Sequence, residues 1–256
     1  MFRMLKASLK DREAMQVTAV SQAILADDGF DYSKVIIKKP WGKEYLIFQN
    51  QQVAVWVLHI AQDFQTSLHC HPNKETSLTV LSGVAEITSY SGTYRVSAGE
   101  GVWIERGAFH STRAVSQGGV IVMETENSIN KRDLVRFQDK YGRKAKAYEG
   151  RAYHDFYPNE SINHIFHDEA NRYNRLEKVG DCNIMIARHL DIDHLKEHMN
   201  KTDAVLINLL SGMISKRNQE VIGKPGDMFV ASQLVGQNDI YLPTESEILF
   251  ICKNNP

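Results

Sequence analysis

Two short stretches constrain the fold of this chain more than any other feature: LTVLSG, ending at Gly83, and INLLSG, ending at Gly212. Each is an apolar, β-rich run closed by Ser-Gly, and each leads to a turn carrying glycine and an acid. SAGEGVWI puts Gly99 sixteen residues after Gly83, and GKPGDMFV puts Gly226 fourteen residues after Gly212. A strand–turn–strand unit that recurs in this way predicts two copies of one β module. The surrounding texture agrees. KVIIKKPWGKEYLIF, VAVWVLHI, SLTVLSGVAEITSY, TYRVSA, GVWIE and GGVIVME are short β-rich runs separated by Gly, Asn and Ser, and the texture resumes at DCNIMIARHL, AVLINLLSGMIS, QEVIG, DMFVAS and EILFICK. Such spacing predicts antiparallel sandwiches or small barrels.

The flanks read differently. FRMLKASLKDREAMQVTAVSQAILADDG has apolar residues at roughly helical intervals and Gly29 as a stop. Residues 141–175 are polar and tyrosine-rich without a clear period. The expected division is therefore a helical N-terminal segment over 1–33, a first β domain over 34–143, an irregular connector over 144–175 and a second β domain over 176–256. A formal net charge of -1 over 256 residues offers no basic excess for nucleic acid. The charged start lacks an apolar signal core, and no run approaches the roughly 20 apolar residues that span a bilayer. Three widely spaced cysteines, Cys70, Cys182 and Cys252, do not resemble a disulfide framework. A cytoplasmic protein without nucleic-acid or membrane partners is expected, and exposed strand edges with an N-terminal helix are compatible with a homodimer.

Candidate chemistry gathers in TSLHCHPNKETSLTVLSG. Alternate residues of a strand share a face, so His69 and His71 project together, with Cys70 opposite. Pro72-Asn73-Lys74 breaks the strand, and Glu75 is placed to re-enter as an oxygen ligand. His110, after the turn at Gly107 in GVWIERGAFHST, is a fourth donor. Three imidazoles and one carboxylate suit one divalent transition metal, Zn, Fe, Mn, Ni or Co, with positions left for water or substrate.

These residues resemble the two motifs of the cupin superfamily: a His-x-His pair, a nearby Glu and a closing Gly, then a Gly-rich turn leading to a further His. Here they read His69, His71, Glu75 and Gly83, then Gly101, Glu105-Arg106-Gly107 and His110. The interval from Glu75 to Gly83 is one residue longer than the family pattern, Glu105 stands where the pattern has proline, and the trailing Asn is missing after His110. KKPWGKEYLIF at 38–48 and METENSINKRDLVRFQDKYGR at 123–143 further resemble the entry and exit of the cupin domain in type II mannose-6-phosphate isomerases. The resemblance spans about 36–143. It implies an all-β fold of two tandem cupin-type barrels or jelly rolls, and kinship with sugar-phosphate enzymes.

The second copy keeps one histidine. Counting back from Gly212 matches His69 with His198 and His71 with Asn200, while Asp203 stands near the glutamate's place and Gln237 matches His110. Neutral amides are weak donors, so the second module is expected to be metal-free and structural, dimerising or sugar-holding. His194 and His198, four apart, share a face on a helix and read as a solvated turn; His154, His164 and His167 of the connector read as surface histidines.

The resemblance implies a metal-dependent sugar or sugar-phosphate isomerase or epimerase, with a small carbohydrate as substrate, in surface-polysaccharide or nucleotide-sugar metabolism. The metal would polarise a carbonyl while a general base moves a proton. Candidates for the base are Glu124 and Glu126, if their strand faces the interior, with Lys74 or Glu105 at the mouth. Arg136 and Arg143 would hold phosphate, with Lys74, Arg106 and Arg113 as weaker choices, or Arg136 and Arg143 simply pin the exit segment to Asp133 or Asp139. The alternatives are a non-catalytic sugar-binding cupin and a metal-dependent dioxygenase.

Overall fold

The run VAVWVLHI is apolar at nearly every position, the pattern of a strand buried on both faces, and the structure shows why. It is a computed structural model that describes residues 2–19, 29–144, 148, 150–156, 165–168 and 170–253. Val53–Ile60 lies inside an eight-stranded sheet whose order is Phe2–Leu5, Gly101–Ile104, Glu75–Ser82, Val120–Asn127, Val53–Ile60, Gly42–Gln49, Val35–Lys39 and His154–Phe156. One face of this sheet closes on a five-stranded sheet, ordered Val135–Gln138, Leu68–Cys70, His110–Ala114, Val84–Ser89 and Gly92–Ser97, to form the first barrel. Trp56, Leu58, Leu78, Val80, Ile87, Val102 and Val122 fill it.

The other face packs on the second module. Val55, Val57, Leu81 and Met123 meet Ile184, Ile186, Leu206, Leu249 and Ile251 in one buried cluster. Those partners come from a five-stranded sheet, Glu177–Val179, Cys182–His189, Ser246–Lys253, Ala204–Leu209 and Met228–Val230, backed by a three-stranded sheet of Val221–Gly223, Ile214–Lys216 and Ile240–Tyr241. The fold is thus mostly β, as the short-strand rhythm predicts.

The repeat has a physical basis at its closing glycines. Gly83 and Gly212 adopt left-handed φ values of 77° and 81°. A Cβ on Gly83 would stand against Ser116 Oγ and 2.6 Å from the Gly119 carbonyl oxygen; on Gly212 it would meet Ser246 Oγ and lie 2.8 Å from the Glu245 carbonyl oxygen. Both demands exclude a side chain, so Gly83→Ala and Gly212→Ala are each expected to cost roughly 1–3 kcal/mol of stability. Urea titration checks this; an unchanged midpoint in either variant refutes the strain.

Three expectations need correction. The N-terminal segment is not purely helical: Phe2–Leu5 forms an edge strand parallel to Gly101–Ile104, and the helix follows at Leu9–Ala19. Residues 20–28 of that segment lie outside the described residues. The connector contributes His154–Phe156, which pairs antiparallel with Val35–Lys39 and extends the large sheet. The counting that matched His69 and His71 with His198 and Asn200 equates a strand with a helix, Ile192–Lys201. Asp191 caps that helix by accepting from the His194 N–H at 2.9 Å, and Leu195 and Met199 bury one face of it in the second core.

Candidate metal centre

Strand alternation decides which side chains enter the first barrel. His69 on Leu68–Cys70 and His71 just past its end turn one way, while Cys70 is buried on the other side beside Ala14, Phe109 and Val135. His110 sits directly opposite His69 in the ladder. The ring centroids are 4.5 Å apart for His69 and His110, 5.0 Å for His69 and His71, and 5.5 Å for His71 and His110.

Each imidazole is oriented by the backbone. Nδ1 of His69 lies 2.8 Å from the Ser67 carbonyl oxygen, that of His71 2.7 Å from the Asp133 carbonyl oxygen, and that of His110 3.1 Å from the Ala108 carbonyl oxygen. A carbonyl only accepts, so all three carry the proton on Nδ1 and present an Nε2 lone pair. The Nε2 atoms of His71 and His110 are buried with no hydrogen-bond partner among the described residues. Burial pushes His69 and His71 well below the ordinary imidazole range and His110 down to about 4. Neutral rings with inward lone pairs are the form that ligates a metal. The donor atoms of His69, His71 and His110 lie within 4.8 Å of one another, close to the ~4.4 Å maximum for two donors each ~2.2 Å from one ion. The residues fit a divalent cation.

The cavity they enter has a volume of about 60 Å³. Its far wall comes from Val120–Asn127, where Val120, Val122, Glu124 and Glu126 face inward, so both glutamates do enter the barrel. Lys131 Nζ lies 3.3 Å from Glu124 and 3.4 Å from Glu126, and 4.1 Å above the Trp56 ring. Burial pushes Glu124 up to about 7 against the pull of Lys131. For Lys131 burial opposes the charge, but Glu126, Glu44 and Glu124 outweigh it and hold the ammonium above its usual range. Tyr148 donates to Glu44 and packs its ring 3.9 Å beneath Lys39 Nζ.

The other candidates fall on either side of this wall. Lys74 is fully buried, its Nζ 2.7 Å from Glu126 Oε1, and it does not line the cavity. Arg136 and Arg143 do line it; Arg143 also grips Asp139, with Nη2 2.7 Å from Oδ1. Arg113 points out of the barrel, next in sequence to inward Thr112, and pairs with Asp63 at 3.2 Å. Glu105 accepts from the Ala7 N–H at 2.8 Å, fastening the N-terminal arm. Glu75 is not among the grouped donors: its carboxylate lies 3.2 Å from Arg106 and 2.7 Å from Lys224 of the second module. His154 and His167 bond to the Arg151 and Leu46 carbonyls outside the cavity, and His164 lies outside the described residues. His194 is exposed beside Asp191, while His198 meets His189 at 3.0 Å. Lys39, Trp41, Glu44 and Lys131 line the cavity without having been singled out. The first three lie inside KKPWGKEY, the entry motif, which was the available signal.

Residues 30–139 match the family described as mannose-6-phosphate isomerase C-terminal. Together with the barrel and its histidines, the match defines this part of the chain as a cupin domain resembling that of type II mannose-6-phosphate isomerases. Mannose-1-phosphate guanylyltransferase ManC of Salmonella typhimurium is 25% identical over 139 residues, 53% of this chain and 29% of the relative. Xanthan biosynthesis protein XanB of Xanthomonas campestris pv. campestris is 25% identical over 109 residues, 42% of this chain and 23% of the relative. This chain thus spans less than a third of either relative's length. A sugar phosphate isomerase of the cupin superfamily from Silicibacter pomeroyi superposes with a TM-score of 0.32 at 11% identity, over 34% of this chain and 59% of that one. Among the described residues, no helix is long and apolar enough to cross a membrane.

Proposed function

We propose that the first barrel is a metal-dependent isomerase or epimerase acting on a small sugar phosphate. The observation that carries this reading is the pairing of three backbone-oriented neutral imidazoles with a buried glutamate held near neutrality in the same cavity. The family match over residues 30–139 supports the substrate class. A divalent ion bound by His69, His71 and His110 would supply Lewis acidity toward a sugar carbonyl and its neighbouring hydroxyl. The chain's own residues do the rest. Glu124 takes the proton from the carbon beside the carbonyl and returns it to the former carbonyl carbon through an enediolate, while the hydroxyl proton passes to the former carbonyl oxygen. Lys131, held against Glu124, tunes that carboxylate and neutralises its charge. Arg136, Arg143 and Lys39 form the cationic side of the cavity that binds the phosphate.

Elemental analysis of the purified protein, followed by a screen for aldose–ketose interconversion of hexose phosphates, tests the proposal. Bound metal with turnover that disappears in the His69→Ala/His71→Ala variant is the expected result. Protein that never takes up a divalent ion, or that turns over with both histidines removed, overturns it. Saturable binding of sugar phosphates without turnover would instead select a non-catalytic sugar-binding cupin, and ferrous-dependent oxygen consumption a dioxygenase.

A further inference from the structure

We infer that the carboxylate completing the metal site is Glu126, not Glu75: the oxygen ligand has moved one strand across the sheet. This rests on the metal-dependent reading and deepens it. The residue count in Glu75–Ser82 explains the move. Thr76, Leu78 and Val80 face the first barrel's interior, whereas Ser77, Thr79 and Leu81 face the second module: Ser77 Oγ donates to the Gly226 carbonyl at 3.0 Å, and Thr79 Oγ1 lies 3.3 Å from Met228 Sδ. Alternation therefore turns Glu75 away from the histidines, and Lys224 and Arg106 hold it there. The extra residue between Glu75 and Gly83 is what changes its side.

The inward place falls to Thr76, whose Oγ1 is buried without a partner among the described residues. Its register partner on the adjacent strand is Glu126. Directly opposed residues share a face with Cβ atoms about 4.5–5.5 Å apart. A short side chain at Thr76 thus leaves room for the longer one at Glu126, which delivers a carboxylate to the same region from the neighbouring strand. Donor atoms of His71, Glu124 and Glu126 lie within 4.8 Å of one another, and His71 also belongs to the histidine group.

Of the two glutamates, Glu126 has the open oxygen. Its Oε1 takes Lys74 at 2.7 Å and Lys131 at 3.4 Å, which fixes the carboxylate, while its Oε2 is buried with no hydrogen-bond partner among the described residues. Glu124 instead offers Oε2 to Lys131 at 3.3 Å. His71 Nε2, His110 Nε2 and Glu126 Oε2 are buried acceptors with no hydrogen-bond partner among the described residues, and His71 joins His110 in one donor group and Glu126 in the other. A buried acceptor left unpaired is costly, and a cation bound at His71, the residue both groups share, would draw Glu126 Oε2 in as its oxygen ligand.

The test is a titration of chelator-treated, full-length protein with Co²⁺, read by d–d absorption and by competition with a chromophoric chelator. Circular dichroism establishes that each variant is folded. Glu75→Gln should bind Co²⁺ with the parent's affinity and spectrum. Glu126→Gln should bind at least about 100-fold more weakly, beyond the 10–100-fold typical of losing an outer-sphere partner. Should Glu126→Gln fail to fold, Glu126→Asp keeps the charge for Lys74 but retracts the oxygen, and should shift the Co²⁺ spectrum. Parent-like binding by Glu126→Gln or a parent-like spectrum for Glu126→Asp overturns the ligand assignment alone, as does lost binding in Glu75→Gln. A parent protein that binds no Co²⁺ overturns both this assignment and the metal-dependent function.

Discussion

Glu124→Gln is expected to reduce kcat for hexose-phosphate interconversion by about 10²–10⁴-fold, the usual contribution of a positioned general acid–base group. The substitution keeps the side chain's volume in a site that is 6% exposed, so packing changes little. It removes the one property the proposed reaction needs, a carboxylate that takes and releases a proton near neutral pH. Glu124 has that property because burial pushes it up to about 7, against the pull of Lys131. Lys131 is not abandoned in the variant, since Glu126 lies 3.4 Å away and the Trp56 ring 4.1 Å away. Metal content should stay at the parent level and KM should change little, because Glu124 neither completes the histidine group nor binds the phosphate. Steady-state kinetics with elemental analysis on the same preparation separate the cases. An unaltered kcat removes Glu124 from the proton path; loss of metal in step with kcat makes it a ligand.

Strand parity explains both what the sequence discloses about this site and what it hides. His69 and His71 are two apart, so their common face follows from alternation alone, and the glycine turn at 107 locates His110. Glu124 and Glu126 follow the same rule once their strand is known to face the interior. Glu75 and Arg113 fail by one residue each: the extra residue before Gly83 sends Glu75 to the second module, and Arg113 lies outward beside inward Thr112. Spacing across Pro72-Asn73-Lys74 does not reveal parity, because an irregular turn resets the alternation. Lys131 and Tyr148 were illegible for another reason. They come from loops, with no periodicity to place them, and reach the cavity through tertiary packing against Trp56 and Glu44. The doubled β module was readable from its glycines, whose left-handed conformations recur at 83 and 212. The helix at Ile192–Lys201 was readable in principle from Asp191 as cap and from Ile192, Leu195 and Met199 as an apolar face. Counting residues back from Gly212 concealed it, because a length match between repeats carries no information about backbone conformation.

The largest expected effect on stability belongs to Lys74→Met. Lys74 and Glu126 form an ion pair with both side chains fully buried, 2.7 Å apart, and Lys74 Nζ also donates to the Asn130 carbonyl at 3.3 Å. Removing one member of such a pair leaves a buried charge with reduced compensation and typically costs 3–5 kcal/mol. Lys131, at 3.4 Å from Glu126 and shared with Glu124, offsets only part of the loss, so about 3 kcal/mol is expected for the metal-free protein. The partner substitution supplies the control. In Lys74→Met/Glu126→Gln the unpaired carboxylate is gone, and replacing a buried ion pair by neutral groups of similar volume is often close to neutral. The double variant should therefore be more stable than Lys74→Met alone, with a coupling of roughly 2–3 kcal/mol in the double-mutant cycle. Urea denaturation of chelator-treated protein measures all four corners. A coupling near zero would mean that water reaches Glu126 and screens it. The carboxylate would then not be held rigid by Lys74, and its oxygen would have no fixed orientation toward the histidines.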